Sequence, residues 1–317
     1  MPRSRQTIDE KLEALDHLNT DDARLTRETL STSLNEKHYR IVAKAAKLCA
    51  EHLLYEFEEN LIRAYQRFLK KPIKTDPNCI AKRALSRAFV DLDGKHLEFY
   101  LAGLQYKQLE PVWGGSVDTA ADIRANCAMG LIATGYPRAL QEITLLLNDP
   151  EPVARLGAVR AMGCGNPNNA ELLLRSKALA SDDSAEVTGE CFSQLLNIEP
   201  DYSPAFIARF LIPEWIEKES DAVREFAALT LGESKLPIAL DYLKKSWSDE
   251  ILDRGFRQVI IQAASLHRSD AAFDWLLSII ENENPHLSKH AVEALQIHQR
   301  NKLLMEKIKT AVSNRND

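Results

Sequence analysis

The stretch DPEPVARLGAVRAMGCG, running from Asp149 to Gly165, decides how the chain is read. It has the form of a turn entering a helix. Asp149 is an acidic N-cap candidate, Pro150 suits the first helical position, and Val153, Gly157, Ala158 and Ala161 share one face at helical spacing. Gly157, Ala158 and Ala161 are small enough for a second helix to approach closely. A helix this poor in bulk cannot anchor a core alone, so its natural use is stacking against copies of itself.

A template taken from this stretch asks for an aliphatic anchor, a small residue four positions on, a small or apolar residue at plus five and an apolar or small residue at plus eight. It fits eight times, with anchors at Ile41, Ile80, Ile123, Val153, Val187, Val223, Ile251 and Leu287. The plus-four residues are Ala45, Ala84, Cys127, Gly157, Cys191, Ala227, Gly255 and Ala291, all small. An acid stands four residues before the anchor at Asp76, Asp149, Asp183, Glu219 and Glu283, placed to cap the helix and meet its positive end. Anchors recur about every 35 residues, the length of one helix–turn–helix unit.

The acid, the short gap, an Ile-Arg or Val-Arg pair (Ile123-Arg124, Val223-Arg224), the paired small residues and a Leu-Gly ending (Leu231-Gly232) together resemble the second helix of HEAT repeats. The likeness is to the short bacterial HEAT-like repeats also found in phycobilisome lyases, and it covers roughly residues 20 to 300. It implies an all-α fold, a right-handed α-solenoid of about eight helical hairpins. Residues 1–20 would form an N-terminal arm and cap, 21–299 the repeat array, and 300–317 a C-terminal capping helix and tail. The resemblance is nearly silent about chemistry, because such repeats occur in scaffolds, transport receptors, chromophore lyases and glycosylases. A tetratricopeptide array fits less well, since its fixed period and Trp-Leu-Gly-Tyr pattern are absent.

Composition narrows the function classes. Among 317 residues, 45% are apolar, with 12 Gly and 13 Pro, enough to bury a large helical core in one body or two. The longest apolar runs are far short of a membrane span, and MPRSRQTIDEKLEALD lacks a signal-peptide hydrophobic region, so a cytoplasmic protein without a membrane partner is expected. Five scattered cysteines, Cys49, Cys79, Cys127, Cys164 and Cys191, form no CxxC pair; core packing is their expected use. No Walker loop, dinucleotide fingerprint, G-x-S-x-G or triad order occurs, and no cofactor is implied. His286, His290 and His298 lack the intervening Glu of a HExxH and a third ligand at convincing spacing, so a structural or exposed role is expected and no metal.

Three surfaces remain as candidates. The irregular insertion of residues 106–118 carries Trp113 before Gly114 and Gly115, with Asp118 and Arg124 holding the loop or meeting a partner's charges. The competing reading is that Trp113 covers a gap in the stack and Arg124 bonds to an acidic cap. Residues six positions after each anchor would face a concave groove, and Met129, Val159 and Leu229 would make its centre an apolar protein-binding patch; alternatively, curvature buries them. Third, residues 61–90 hold eight cations against Asp76, a balance of +7 within a chain of net charge −6. Of these, Arg63, Arg67, Lys70, Lys71, Lys82, Arg83 and Arg87 form a candidate basic patch for nucleic acid, or a solvated face. The functional expectation is a non-catalytic protein-binding scaffold using the groove and the insertion. Its alternatives are a bilin-lyase-like enzyme or chromophore chaperone, and a nucleic-acid-binding protein using the basic region.

Overall fold

The computed structural model describes residues 7–19, 22–212, 221–248 and 254–315. The chain divides into two compact units, residues 1–166 and 167–317. The boundary falls in the GCGNPNN stretch, where Gly163 ends one helix and Pro167 begins the next.

The first unit contains α1 (Ile8–Asp16), α2 (Ala23–Leu34), α3 (Tyr39–Glu51), α4 (Glu58–Phe68), α5 (Pro72–Thr75), α6 (Ile80–Asp91) and α7 (Leu97–Leu104). A short hairpin follows, β1 (Leu109–Val112) and β2 (Gly115–Asp118), then α8 (Ala121–Ala133), α9 (Ala139–Thr144) and α10 (Pro152–Gly163). The second unit contains α11 (Pro167–Leu179), α12 (Ala185–Ile198), α13 (Ser203–Ile207), α14 (Asp221–Ser234), α15 (Pro237–Trp247), α16 (Arg254–His267), α17 (Asp270–Asn282), α18 (Pro285–Leu295) and α19 (Lys302–Ser313). Among the described residues the fold is all-α apart from that hairpin. Among the described residues, no helix is long and apolar enough to cross a membrane.

The helices carrying the template pack on one another in sequence order. In the first unit α3 lies against α6, α6 against α8 and α8 against α10; in the second, α12 lies against α14, α14 against α16 and α16 against α18. Close approach comes from the small residues. A Cβ placed on Gly157 would sit 2.3 Å from the Cβ of Ala125, and one on Gly232 would sit 2.1 Å from the Ala263 carbonyl oxygen. The intervening α4 supplies bulk: Phe57, just before it, and Leu61, Tyr65 and Phe68 along its stripe are buried. At the chain's end, α19 packs on α17 through the buried Leu304, Ile308 and Ala311. Four of the cysteines, Cys49, Cys79, Cys127 and Cys191, are buried free thiols, whereas Cys164 is exposed.

The helical register differs from the template in three places. Val153 is 46% exposed, while Ala154, Ala158, Ala161 and Met162 are buried, so the true anchor of α10 is Ala154. In α6 Ala81 and Leu85 are buried and Ile80 is not; in α16 Gly255 is exposed and Phe256 buried. Anchor Ile251 and acid Glu219 lie outside the described residues. Each step of one residue has the same consequence in α6 and α10: it puts Lys82 and Arg155 directly after the anchor, the position Arg124 and Arg224 hold in α8 and α14. All four side chains are buried. Burying Val153 instead of Ala154 would gain at most about 1.5–3 kcal/mol. Stranding a buried charge costs about 3–5 kcal/mol, so the cation sets the register.

The acids move with it. Asp76, Asp118, Asp149 and Asp182, each five residues before the buried anchor of its helix (Ala81, Ile123, Ala154 and Val187), are buried at the helix entrances, whereas the template selects Asp183 and omits Asp118. Asp149 is not the N-cap of α10: the helix starts at Pro152 with Glu151 as its N-cap, and Asp149 accepts from the Glu151 amide at 2.9 Å. The expected irregular insertion is an antiparallel hairpin, paired Leu109 to Asp118 and Val112 to Gly115, with Trp113-Gly114 as its turn and Gly114 at φ +86°.

The close helix contacts predict that Gly157→Val lowers the stability of the first unit by about 1–3 kcal/mol in denaturant titration. Gly115→Ala, where no atom lies within 4 Å of the added methyl, is expected to change it by less than about 0.5 kcal/mol.

Candidate functional site

A buried polar network joins the entrances of α6, α8 and α10. Asp76 accepts from the Ala81 and Lys82 amides at 2.7 and 3.0 Å and pairs with the Lys82 ammonium at 2.8 Å, both side chains fully buried. Arg124 Nη1 meets Asp118 Oδ2 at 2.7 Å and donates to the Tyr106 carbonyl at 2.9 Å, while its Nε lies 2.8 Å from Asp149 Oδ2. Arg155 donates to the Asp149 and Pro150 carbonyls at 2.8 and 3.1 Å. Arg124 is spent on the Asp118 and Asp149 carboxylates, and Asp118, which also accepts from the Gln108 and Ala120 amides, holds the loop. At 8% and 1% side-chain exposure, Asp118 and Arg124 hold the hairpin base and offer a partner no free charge.

Glu110, on β1, points back into the same network. Its Oε1 accepts from the Asn78 amide at 2.6 Å, Gln108 Nε2 at 2.7 Å and Thr119 Oγ1 at 2.8 Å. Burial pushes the Glu110 and Asp118 carboxyls up. The donors outweigh it: Gln108, Thr119 and Asn78 hold Glu110 below the ordinary carboxylate value, and the Gln108 and Ala120 amides with Arg124 do the same for Asp118. Burial likewise opposes the Arg124 charge, yet Asp149 and Asp118 raise its pKa.

The clamped base carries an apolar tip. Trp113 is completely exposed, and Leu109, Val112 and Val117 are each about half exposed.

A second surface lies on the exposed sides of α1, α3, α6 and α8, where a cleft of about 1270 Å³ opens. With the corrected register its floor follows one rule: positions −1, +3, +6 and +10 from the anchor face it, giving Arg40, Lys44, Lys47 and Glu51 on α3 and Ile80, Ala84, Arg87 and Asp91 on α6. Lys47–Glu51, Arg87–Asp91 and Arg83–Asp122 pair at 3.4, 2.9 and 3.4 Å, and Lys44 pairs with Asp16 of α1. In the second unit Leu229, Gln258, Gln262 and Glu293 line a smaller cleft of about 360 Å³.

Of the groove residues expected at plus six, Lys47 lines its cleft, while Met129 and Leu229 are half-buried. Val159 is a correction: it is fully buried, and Arg160 takes the exposed position because α10 is turned by one residue. The basic residues do not act as one patch. Lys82 is buried against Asp76; Arg67 donates to the Leu34 and Glu36 carbonyls at 2.7 and 3.0 Å; Arg83 and Arg87 line the first cleft. Arg63 pairs with Glu59 at 2.8 Å, and Lys70 and Lys71 are exposed. His286 and His290 stack edge-on with ring centroids 4.6 Å apart, and His298 bonds to Ser265. Sequence reasoning missed the hairpin, α1 as a cleft wall, and the register. The signal for the last was Ala81-Lys82 and Ala154-Arg155, which match Ile123-Arg124 once the cation rather than the aliphatic residue is aligned.

Among the described residues, no three His, Cys, Asp or Glu side chains stand where they could hold a metal ion. Burial pushes the Cys49 and Cys191 thiols up to about 12 and Cys79 to about 11, which keeps them protonated and poor nucleophiles. What the two surfaces offer chemically is recognition: an exposed aromatic and a charged cleft. The chain matches no family model and no curated protein.

Removing the buried cation by Arg124→Met leaves Asp118 and Asp149 unpaired and is expected to cost about 3–5 kcal/mol in equilibrium unfolding, while Trp113→Ala changes stability by less than about 0.5 kcal/mol. Because the folded pKa values of Asp118 and Glu110 are lowered, their contribution is complete above the unfolded values of about 3.9 and 4.3 and is lost as pH falls through the folded ones. Acid unfolding of an Asp118→Asn, Glu110→Gln variant is therefore expected to show a shallower dependence on pH below about 4 than the parent.

Proposed function

We propose that the chain is a HEAT-like repeat protein, a right-handed α-solenoid of about eight helical hairpins, that binds a protein partner and performs no chemistry of its own. Its contacts are the tip of the 106–118 insertion and the cleft on the inner helices of the first unit. The observation that carries this reading is Trp113. A fully exposed Trp on a hairpin whose base is fixed by buried ion pairs adds nothing to the folded chain's own core. Held rigid, it loses little freedom when a partner covers it. Buried Trp anchors are also the commonest energetic centres of protein interfaces. The ordered packing of α3, α6, α8 and α10 and of α12, α14, α16 and α18 supports the repeat reading, as does the buried acid-to-cation spacing shared by α6, α8 and α10.

A photo-crosslinking residue placed at Trp113 is expected to capture a discrete protein in lysate of the source cells, whereas one at Leu172, an exposed apolar position on α11, gives none. With that protein purified, Trp113→Ala is expected to weaken binding at least about 30-fold, the effect of a hot-spot residue of about 2 kcal/mol. Unchanged affinity, or the same capture pattern from both positions, would contradict the proposal.

A further inference from the structure

We infer that the cleft of the first unit receives an amphipathic α-helix with an acidic edge, supplied by the partner. The inference rests on the protein-binding reading and names what the cleft selects. Its floor is made of sides of α3 and α6, whose backbone amides and carbonyls are bonded within their own helices. An extended peptide laid there would find no ladder to join and would leave its own backbone groups unpaired, whereas a helix arrives already satisfied. The seam between the charges is small or apolar, with Ala43, Ile80, Ala84 and Ala88 on the floor and Leu12 on the wall. Small residues are the device by which α8 and α10 approach each other at Ala125 and Gly157. A cleft of about 1270 Å³ holds about three turns of a helix 10 Å across.

Charge decides the orientation. Arg40, Lys44, Lys47, Arg83 and Arg87 project from the floor helices, in rows at i, i+4, i+7 on α3 and i, i+4 on α6. Glu51, Asp91 and Asp122 only partly offset them. The wall is the opposite: Asp9, Glu13 and Asp16 share the face of α1 that looks into the cleft. Five cations against three carboxylates on the floor side, and three carboxylates on the wall, favour a helix with carboxylates toward α3 and α6 and cations toward α1. The chain itself shows the mode, because α1 is an acidic helix docked on the side of α3 by the buried Leu15 and the Asp16–Lys44 pair. A nucleic-acid strand suits the cleft poorly. Its lining holds six carboxylates against five cations, and the three carboxylates of the α1 wall would face a strand of uniform negative charge, whereas a helix can present opposite signs on its two edges.

The test is selection of a phage-displayed library of random 16-residue peptides on the full chain, with counter-selection on a Lys47→Glu, Arg87→Glu variant. Both residues are exposed and their surface pairs add little to stability, so circular dichroism of the variant is expected to match the parent. The expected result is enrichment of peptides with acids at i, i+4 and i+7 that become helical on binding, lose at least about tenfold in affinity to the variant, and weaken as salt rises. Arg40→Glu is expected to weaken them as well. Enriched peptides that need the cleft cations but are extended or uniformly basic would overturn the helix inference while leaving the cleft as a docking site. A set that depends only on Trp113, or no enrichment at all, would overturn the cleft as a protein-binding surface. Tighter binding of an oligothymidine strand than of any selected peptide would overturn the choice of partner class.

Discussion

Lys82 and Arg124 have almost no access to water, and the arrangement of the first unit follows from that. A buried cation must meet carboxylates or carbonyls in fixed positions, and the groups within reach are at helix entrances: Asp76 for Lys82, Asp118 and Asp149 for Arg124, the Asp149 and Pro150 carbonyls for Arg155. Because the penalty for missing them exceeds what any single aliphatic residue gains by burial, the pairs fix the rotation of α6, α8 and α10 about their axes. Arg124 goes further. By bonding to Asp118 before its helix and Asp149 before the next, it ties the hairpin base, α8 and the entry to α10 into one rigid piece.

Rotation decides what the opposite side of each helix presents. The same turn that buries Lys82 puts Ile80, Ala84, Arg87 and Asp91 into the cleft, in line with Arg40, Lys44, Lys47 and Glu51 of α3. The internal pairs and the external surface are therefore one constraint seen from two sides. The second unit varies the theme: Arg224 donates to the Leu211 carbonyl and lies over the Phe256 ring at 3.7 Å, and Ser288 reaches the Ile280 carbonyl. Its cleft is lined by Leu229, Gln258 and Gln262 together with His290 and Glu293.

The helical character, the order of the inner helices and their close spacing were legible in the sequence, because small residues at period 3.6 leave few other uses for a helix. Register was not, and the reason is physical. Val153 outranks Ala154 on any hydrophobicity scale, so a template built on aliphatic residues selects it. The structure instead satisfies Arg155, a side chain whose burial no periodicity announces. Val159 was assigned to a surface for the same reason. The insertion could be read as a break in the repeat pattern, but LEPV-WG-GSVD as two paired strands is held by Glu110 meeting Asn78, Gln108 and Thr119, contacts that only the folded chain brings together. The basic stretch was visible as charge and misleading as a surface, since counting charge along the chain ignores which side chains are spent inside.

The helical rotation imposed by the buried cations is tested most directly by thiol accessibility at two neighbouring positions of α10. In a Cys164→Ser background, Val159→Cys and Arg160→Cys are each exposed to a thiol reagent under native conditions, with the remaining native cysteines buried. The account predicts rapid modification at position 160 and protection at position 159 until the chain unfolds. Rapid modification at 159 with protection at 160 would contradict it.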